Sequence, residues 1–457
     1  MFVGEGFPLP YKLDLGDMRE AKRLPYGDIY PRGANKTRNT MEIFDYILSL
    51  EKRAAAAVSE MSCAPFEKRN EVLTKLAAAL RANAAAVLAA NKTDLDAAAE
   101  NGVAPQMLDR LSLNEKRIEG MAESLEALAE LPDAIGGEKV WTRPSGIEIH
   151  ERTVPLGVVA IIFEARPNVT LDAAALCIKT GNVAILRGGK EALHTSMAIR
   201  DIICDTLAAC GLPRDSVLLV ERTEREGANA LMTIRGYVDV LIPRGGKGLI
   251  RNVVENAKVP VIETGAGNCH VYVEKSADFD MARKIIINAK VQRPSVCNAC
   301  ESLLCDRAIA KEFLPLFEED MRERGVEIRA DANCIDCFAN AVLATEEDHF
   351  TEYNDLVISV KAVDNVDEAI AHINTHGTRH SEAIVTRDGA AASRFTDRVD
   401  AAAVYVNTST RFTDGGEFGY GAEIGISTQK LHARGPMGLA ALTTVKYVVK
   451  SEGKVRE

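Results

Sequence analysis

The chain has 457 residues, 47% hydrophobic and 26% charged, enough for two or three domains with ample cores. A formal net charge of −11 at pH 7 argues against nucleic acid or an anionic membrane as the main partner, but leaves room for an anionic small molecule in a local basic pocket. No apolar run approaches the roughly 18 residues of a membrane span. The N-terminus lacks a basic segment followed by an apolar core, and the 10 cysteines fit a reducing compartment, so a cytoplasmic location is expected.

Residues 1–40 are rich in Gly, Pro and charge and show no period, so they read as a poorly ordered extension. Met41 opens an alanine-rich helical stretch that runs to about Leu131 and reads as packing helices. Residues 138–153 alternate around Pro144-Ser145-Gly146, which predicts a hairpin. It carries the one tryptophan, Trp141, and is a candidate oligomer contact.

An α/β rhythm follows. Gly157 to Phe163 is a continuous apolar run, as in a parallel strand buried on both faces. Strand-like runs at Asn182–Leu186, Ser216–Val220, Val238–Ile242 and Val259–Ile262 alternate with helical patterns. This predicts a doubly wound cofactor-binding domain over residues 41–265.

Two turns in that domain share a sequence. Arg187-Gly188-Gly189-Lys190 follows one strand, and Arg244-Gly245-Gly246-Lys247 follows another. Glycines let a backbone approach a phosphate, helix N-terminal N–H groups point at it, and the cations add charge. Neither turn is a Gly-x-Gly-x-x-Gly or a P-loop. Their recurrence in successive units predicts a dinucleotide phosphate site.

Residues 266–438 read as a second α/β domain, and residues 439–457 as a strand and tail that could join the hairpin in an oligomer contact. Between a helix and the run Glu301–Cys305 lies a loop with Arg293 and Cys297. A nearby cation lowers a thiol pKa, which suits a thiolate nucleophile; a half-buried turn cysteine is the plain alternative. Two Cys-x-x-Cys pairs, Cys297/Cys300 and Cys334/Cys337, are spaced too widely for a zinc ribbon, and no metal is expected.

Four stretches carry a resemblance: Pro155 to Thr170, Gln292 to Glu301, Ala369 to Glu382 and Asn407 to Gly419. Through them the chain resembles the aldehyde dehydrogenase superfamily and, within it, the gamma-glutamyl phosphate reductases (glutamate-5-semialdehyde dehydrogenases). The resemblance implies a Rossmann-like nucleotide-binding domain, an α/β catalytic domain and a small oligomerisation hairpin. It implies the second step of proline synthesis from glutamate: NADPH-dependent reduction of L-glutamyl 5-phosphate to glutamate 5-semialdehyde, with release of phosphate. It also implies a homo-oligomer, and glutamate 5-kinase as an upstream donor.

Carried over residue by residue, Cys297 is the nucleophile and Asn168 the side-chain oxyanion donor. Glu352 matches the glutamate that holds the nicotinamide ribose. Arg187 and Lys190 favour the 2′-phosphate of NADP(H) over NAD. Arg166, Arg293 and Arg411 are the substrate-binding candidates, with Asp414 for the ammonium. Glu263 matches the water-activating glutamate of hydrolytic relatives, a role that a reductase has no use for. An aldehyde oxidiser using Cys297 and Glu263 is the rival reading.

Overall fold

The computed structural model describes residues 38–456, apart from 104 and 165. Most of the expected extension therefore lies outside the described residues. Its last three residues do not: the first helix is Arg38–Ser62, starting three residues before the apolar pattern does.

That helix buries Ile43, Ile47, Leu50, Ala54, Ala57 and Met61, a stripe that repeats every three or four residues. Phe66–Ala82, Ala84–Glu100, Pro105–Leu111 and Glu115–Glu130 complete the helical segment. The last begins where the Asn114 side chain accepts the Arg117 N–H.

The first sheet is parallel, in the order Val217–Leu219, Val183–Arg187, Val158–Phe163, Val240–Arg244. Val158–Phe163 is fully buried because it has a strand on each side, which explains its unbroken apolar run. The order reverses at this strand. The chain steps outward through Val183 and Val217, then returns to pair Val240–Arg244 on the other side. Ligands bind beyond the carboxyl ends of strands at such a reversal. The expected strand Val259–Ile262 is only a single bridge, Leu241 to Val261. Pro260 has no N–H with which to extend the ladder.

The second sheet has seven parallel strands: Val342–Leu343, Glu327–Ala330, Val357–Val363, Cys300–Asp306, Cys269–Val273, Ser381–Val385 and Ala403–Val406. Phe279–Val291 and Ala310–Glu323 contribute to one core cluster, and Val366–His376 and Gly389–Arg398 to another. Cys269–Val273 and Cys300–Asp306 are buried throughout.

The hairpin forms from Glu138–Thr142 and Glu148–Pro155, two residues longer than its alternation suggested. Thr443–Lys450 returns to pair with Glu148–Pro155 over its whole length. Trp141, Val445, Tyr447 and Val449 on this three-stranded sheet are exposed. Among the described residues no single helix is long and apolar enough to cross a membrane.

Candidate active site

A chamber of about 630 Å³ lies at the carboxyl end of the first sheet. Its wall combines Glu164, Arg166 and Arg244–Lys247 with Cys297, Glu352, Arg411, Asp414 and Glu423. Cys297 is half-buried on the loop between Phe279–Val291 and Cys300–Asp306.

That loop is tied at both ends. Lys290 and Glu301 are wholly buried and pair at 2.5 Å, and Glu301 Oε1 also accepts the Asn354 N–H at 3.1 Å. Next to Cys297, Asn298 Nδ2 donates to the Thr413 carbonyl at 2.9 Å, and its own carbonyl accepts Thr410 Oγ1 at 2.7 Å. Cys269 Sγ donates to the Cys297 carbonyl at 3.2 Å. These contacts fix where the nucleophile sits before any substrate arrives.

The electrostatics correct one expectation. A neighbouring cation was expected to make the Cys297 thiol acidic. Burial instead pushes it up to about 11, against the lowering effect of Arg244 and Arg166. Glu423 and Glu352 push it in the same direction as burial. Desolvation of a thiolate outweighs the nearby positive charge here, so the free protein holds a thiol.

Cations dominate the chamber. Arg166, Arg244 and Arg293 make no side-chain hydrogen bond or ion pair among the described residues. Arg166 is lowered to about 10, first by burial and then by Arg244 and Arg110. Arg411 donates to Gln292 Oε1 at 3.1 Å and to Asn298 Oδ1. Arg110, which sequence reading missed, donates to the Ser295 carbonyl at 3.3 Å. Guanidiniums crowded together with no carboxylate bonded to them favour an incoming anion.

The two basic turns are placed differently. Arg244-Gly245-Gly246 lines the chamber at the start of helix Lys247–Asn256. Gly246 N–H donates to Glu164 Oε2 at 2.9 Å, and a β-carbon on Gly245 would come 2.6 Å from that oxygen. The Arg187 turn ends Val183–Arg187, across the central strand Val158–Phe163 from Val240–Arg244, and does not line the Cys297 chamber. Arg187 is half-buried and donates to the Thr223 carbonyl at 2.8 Å, whereas Lys190 is exposed. A β-carbon on Gly188 would meet the Phe163 ring at 3.1 Å, and one on Gly189 the Glu191 carboxylate at 2.1 Å.

Glu352 lines the chamber. Its Oε1 accepts the Gly267 N–H at 2.7 Å, and its Oε2 lies 3.6 Å from Lys247 Nζ. Asn168 does not share a cavity with Cys297. It stands on the first turn of Pro167–Lys179, facing an adjoining cavity, and donates to Asp172 Oδ2 at 2.9 Å. Asp414 is exposed, and its Oδ1 accepts the Gly416 N–H at 2.8 Å. The Glu263 side chain is absent from the chamber wall, and its N–H donates to Gln429 Oε1 at 2.9 Å.

Sequence reading also missed Glu423. Burial raises its carboxyl. Its Oε2 is buried without a hydrogen-bond partner among the described residues. No motif marks it; it sits in an ordinary Gly-Ala-Glu-Ile-Gly run.

The chain matches the model of the aldehyde dehydrogenase family over residues 47–335 and 351–448. It is 54% identical to a gamma-glutamyl phosphate reductase of Carboxydothermus hydrogenoformans over 413 residues, 90% of this chain and 100% of that one. A protein of the same name from Heliobacterium modesticaldum is 55% identical over 411 residues, 90% of this chain and 99% of that one. Among solved structures, the gamma-glutamyl phosphate reductase of Thermotoga maritima superposes with a TM-score of 0.88 at 47% identity, covering 90% of this chain and 100% of that one. An engineered glycolyl-CoA reductase with bound NADP+ shares the fold, at a TM-score of 0.63 and 16% identity over 88% of this chain and 96% of that one. The chain thus belongs to the aldehyde dehydrogenase family and, within it, groups with the gamma-glutamyl phosphate reductases.

Proposed function

We propose that this protein reduces L-glutamyl 5-phosphate to L-glutamate 5-semialdehyde with NADPH, releasing phosphate, as the second step of proline synthesis from glutamate. The observation that carries this reading is a cysteine on the wall of a chamber with three unpaired guanidiniums, Arg166, Arg244 and Arg293. That arrangement suits an anionic acyl phosphate better than a neutral aldehyde.

Cys297 attacks the acyl carbon. The C–S bond forms, the C–O bond to phosphorus breaks, and the leaving phosphate carries away the thiol proton as hydrogen phosphate. Arg166, Arg293 and Arg411 are the proposed anion contacts, and Asp414 stands at the edge of the same chamber. The Cys297 N–H and the Asn168 amide are the proposed oxyanion donors. Asn168 must release Asp172 to serve, and losing one such donor costs about 3 kcal/mol.

The residues fit a dinucleotide. A β-carbon on Gly245 or Gly189 would push aside the Glu164 or Glu191 carboxylate, and the Gly246 N–H at a helix start already holds a carboxylate. Arg244, Gly245 and Gly246 would cradle the pyrophosphate. Arg187, Gly188, Gly189 and Lys190 would meet the adenosine end, where the cations favour a 2′-phosphate. Glu352 would accept from the nicotinamide ribose. When bound, the cofactor supplies the hydride.

Acyl phosphates hydrolyse readily, so a kinase acting on the 5-carboxylate of glutamate is the natural upstream donor. We place the protein in the cytoplasm, where its 10 free cysteines stay reduced. The exposed apolar residues Trp141, Val445, Tyr447 and Val449 suit burial against a second copy of the chain. Light scattering on Trp141→Glu tests this, and an unchanged mass would remove the sheet from the interface.

The decisive assay is NADP+-dependent oxidation of glutamate 5-semialdehyde with and without phosphate, on wild type and Cys297→Ala. Activity that requires phosphate or arsenate and vanishes in Cys297→Ala is expected. Activity independent of both anions would favour a simple aldehyde oxidiser.

A further inference from the structure

The Cys297 chamber adjoins a second cavity of about 380 Å³. Arg110, Arg166, Arg293, Ser295 and Val296 line both. Ser295 and Val296 precede Cys297 directly, so the second cavity starts at the nucleophile's own loop. Part of its wall comes from Pro167–Lys179, which presents Asn168 and Asp172 to it.

The charges in this second cavity are unequal in what they already hold. Asp109 is paired with Arg117 at 2.9 Å. Asp172 accepts only the Asn168 amide, through Oδ2. Three carboxylates of the first chamber are each engaged by a backbone N–H: Glu164 by Gly246, Glu352 by Gly267, Asp414 by Gly416. Asp172 has neither a cation nor a backbone N–H in hydrogen-bond contact among the described residues.

Burial accordingly pushes its carboxyl up to about 6, against the lowering effect of Asn168 and Arg244. A desolvated carboxylate with no cation in hydrogen-bond contact gains strongly from one that arrives. Asp172 is half-buried on a helix whose other residues, Asn168 apart, are buried, so its backbone is held in place. At the junction of the cavities stand Arg166 and Arg293, without hydrogen-bond partners, and Arg110, which holds only the Ser295 carbonyl. A carboxylate held only by an amide, beyond three arginines that have no carboxylate bonded to them, is the complement of a molecule that carries both an ammonium and anionic groups.

We propose that the second cavity seats the amino-acid end of the substrate and that Asp172 binds its α-ammonium group. The assignment rests on the reaction proposed above. It replaces Asp414 in that role, because Asp414 is exposed and caps its own turn.

The test compares two aldehydes in the phosphate-dependent oxidation: glutamate 5-semialdehyde and 5-oxopentanoate, which lacks the amino group. In Asp172→Asn, KM for the semialdehyde is expected to rise about 30-fold or more with kcat within about threefold, as for a lost charged contact in a buried site. The des-amino aldehyde should be handled alike by both proteins, judged by kcat/KM or, where turnover is slow, by its Ki as a competitor. It also controls for folding, and Asp172→Ser serves as a second variant. Equal losses on both aldehydes, or no loss on either, overturn the assignment of Asp172. A wild-type protein inactive on the semialdehyde with phosphate and NADP+ overturns the reaction itself, and the assignment with it.

Discussion

Gly267 lies against Cys297 so closely that a β-carbon on it would come 1.4 Å from the Cys297 carbonyl oxygen. The Gly267 N–H meanwhile donates to Glu352. One glycine thus joins the proposed ribose-binding carboxylate to the backbone of the nucleophile. Gly267→Ala must displace the Cys297 loop, and a shift of about 1 Å costs on the order of 100-fold in turnover. Steady-state kinetics check this, with circular dichroism showing that the fold persists.

The raised Cys297 thiol sets a pH profile. With the thiol at about 11, the thiolate is a small fraction at pH 7 and grows about tenfold per unit up to that value. Iodoacetamide inactivation of the free protein should therefore accelerate steadily from pH 7 to pH 10. Glu423 is an anion that raises this thiol, so Glu423→Gln should lower it and speed alkylation at pH 8. A rate plateau below pH 8 in wild type would show that the thiol is acidic after all.

The wholly buried pair Lys290–Glu301 brackets the Cys297 loop. Removing one partner strands the other charge in a dry interior, which costs about 3–5 kcal/mol. Lys290→Met should lower stability to urea by that amount. The double variant Lys290→Met, Glu301→Leu should recover most of the loss, because it strands no charge. The urea midpoints of both variants decide it.

Lys190 is exposed beside the Gly188-Gly189 turn and has no ion-pair partner among the described residues. If it meets a 2′-phosphate, Lys190→Ala should raise KM for NADPH about tenfold and leave KM for NADH unchanged, since a charge-assisted contact is worth about 1.5–3 kcal/mol. Parallel changes with both cofactors would remove it from the adenosine end.

Much of this protein was legible in its residues. The apolar run at Val158–Phe163 announces a strand buried on both faces, because only a central parallel strand needs six consecutive apolar side chains. Cys297 could be picked out by its family-specific neighbours, and the two Arg-Gly-Gly-Lys turns by their recurrence. What local sequence could not convey is which distant groups meet. Arg110, Asp172, Arg244 and Glu423 converge near one loop because two sheets bring their strand ends and connecting loops together. Nor could it convey the sign of the Cys297 shift. An arginine nearby in the chain points to a thiolate, but desolvation depends on every atom packed around the sulfur, and only the tertiary structure assembles that shell.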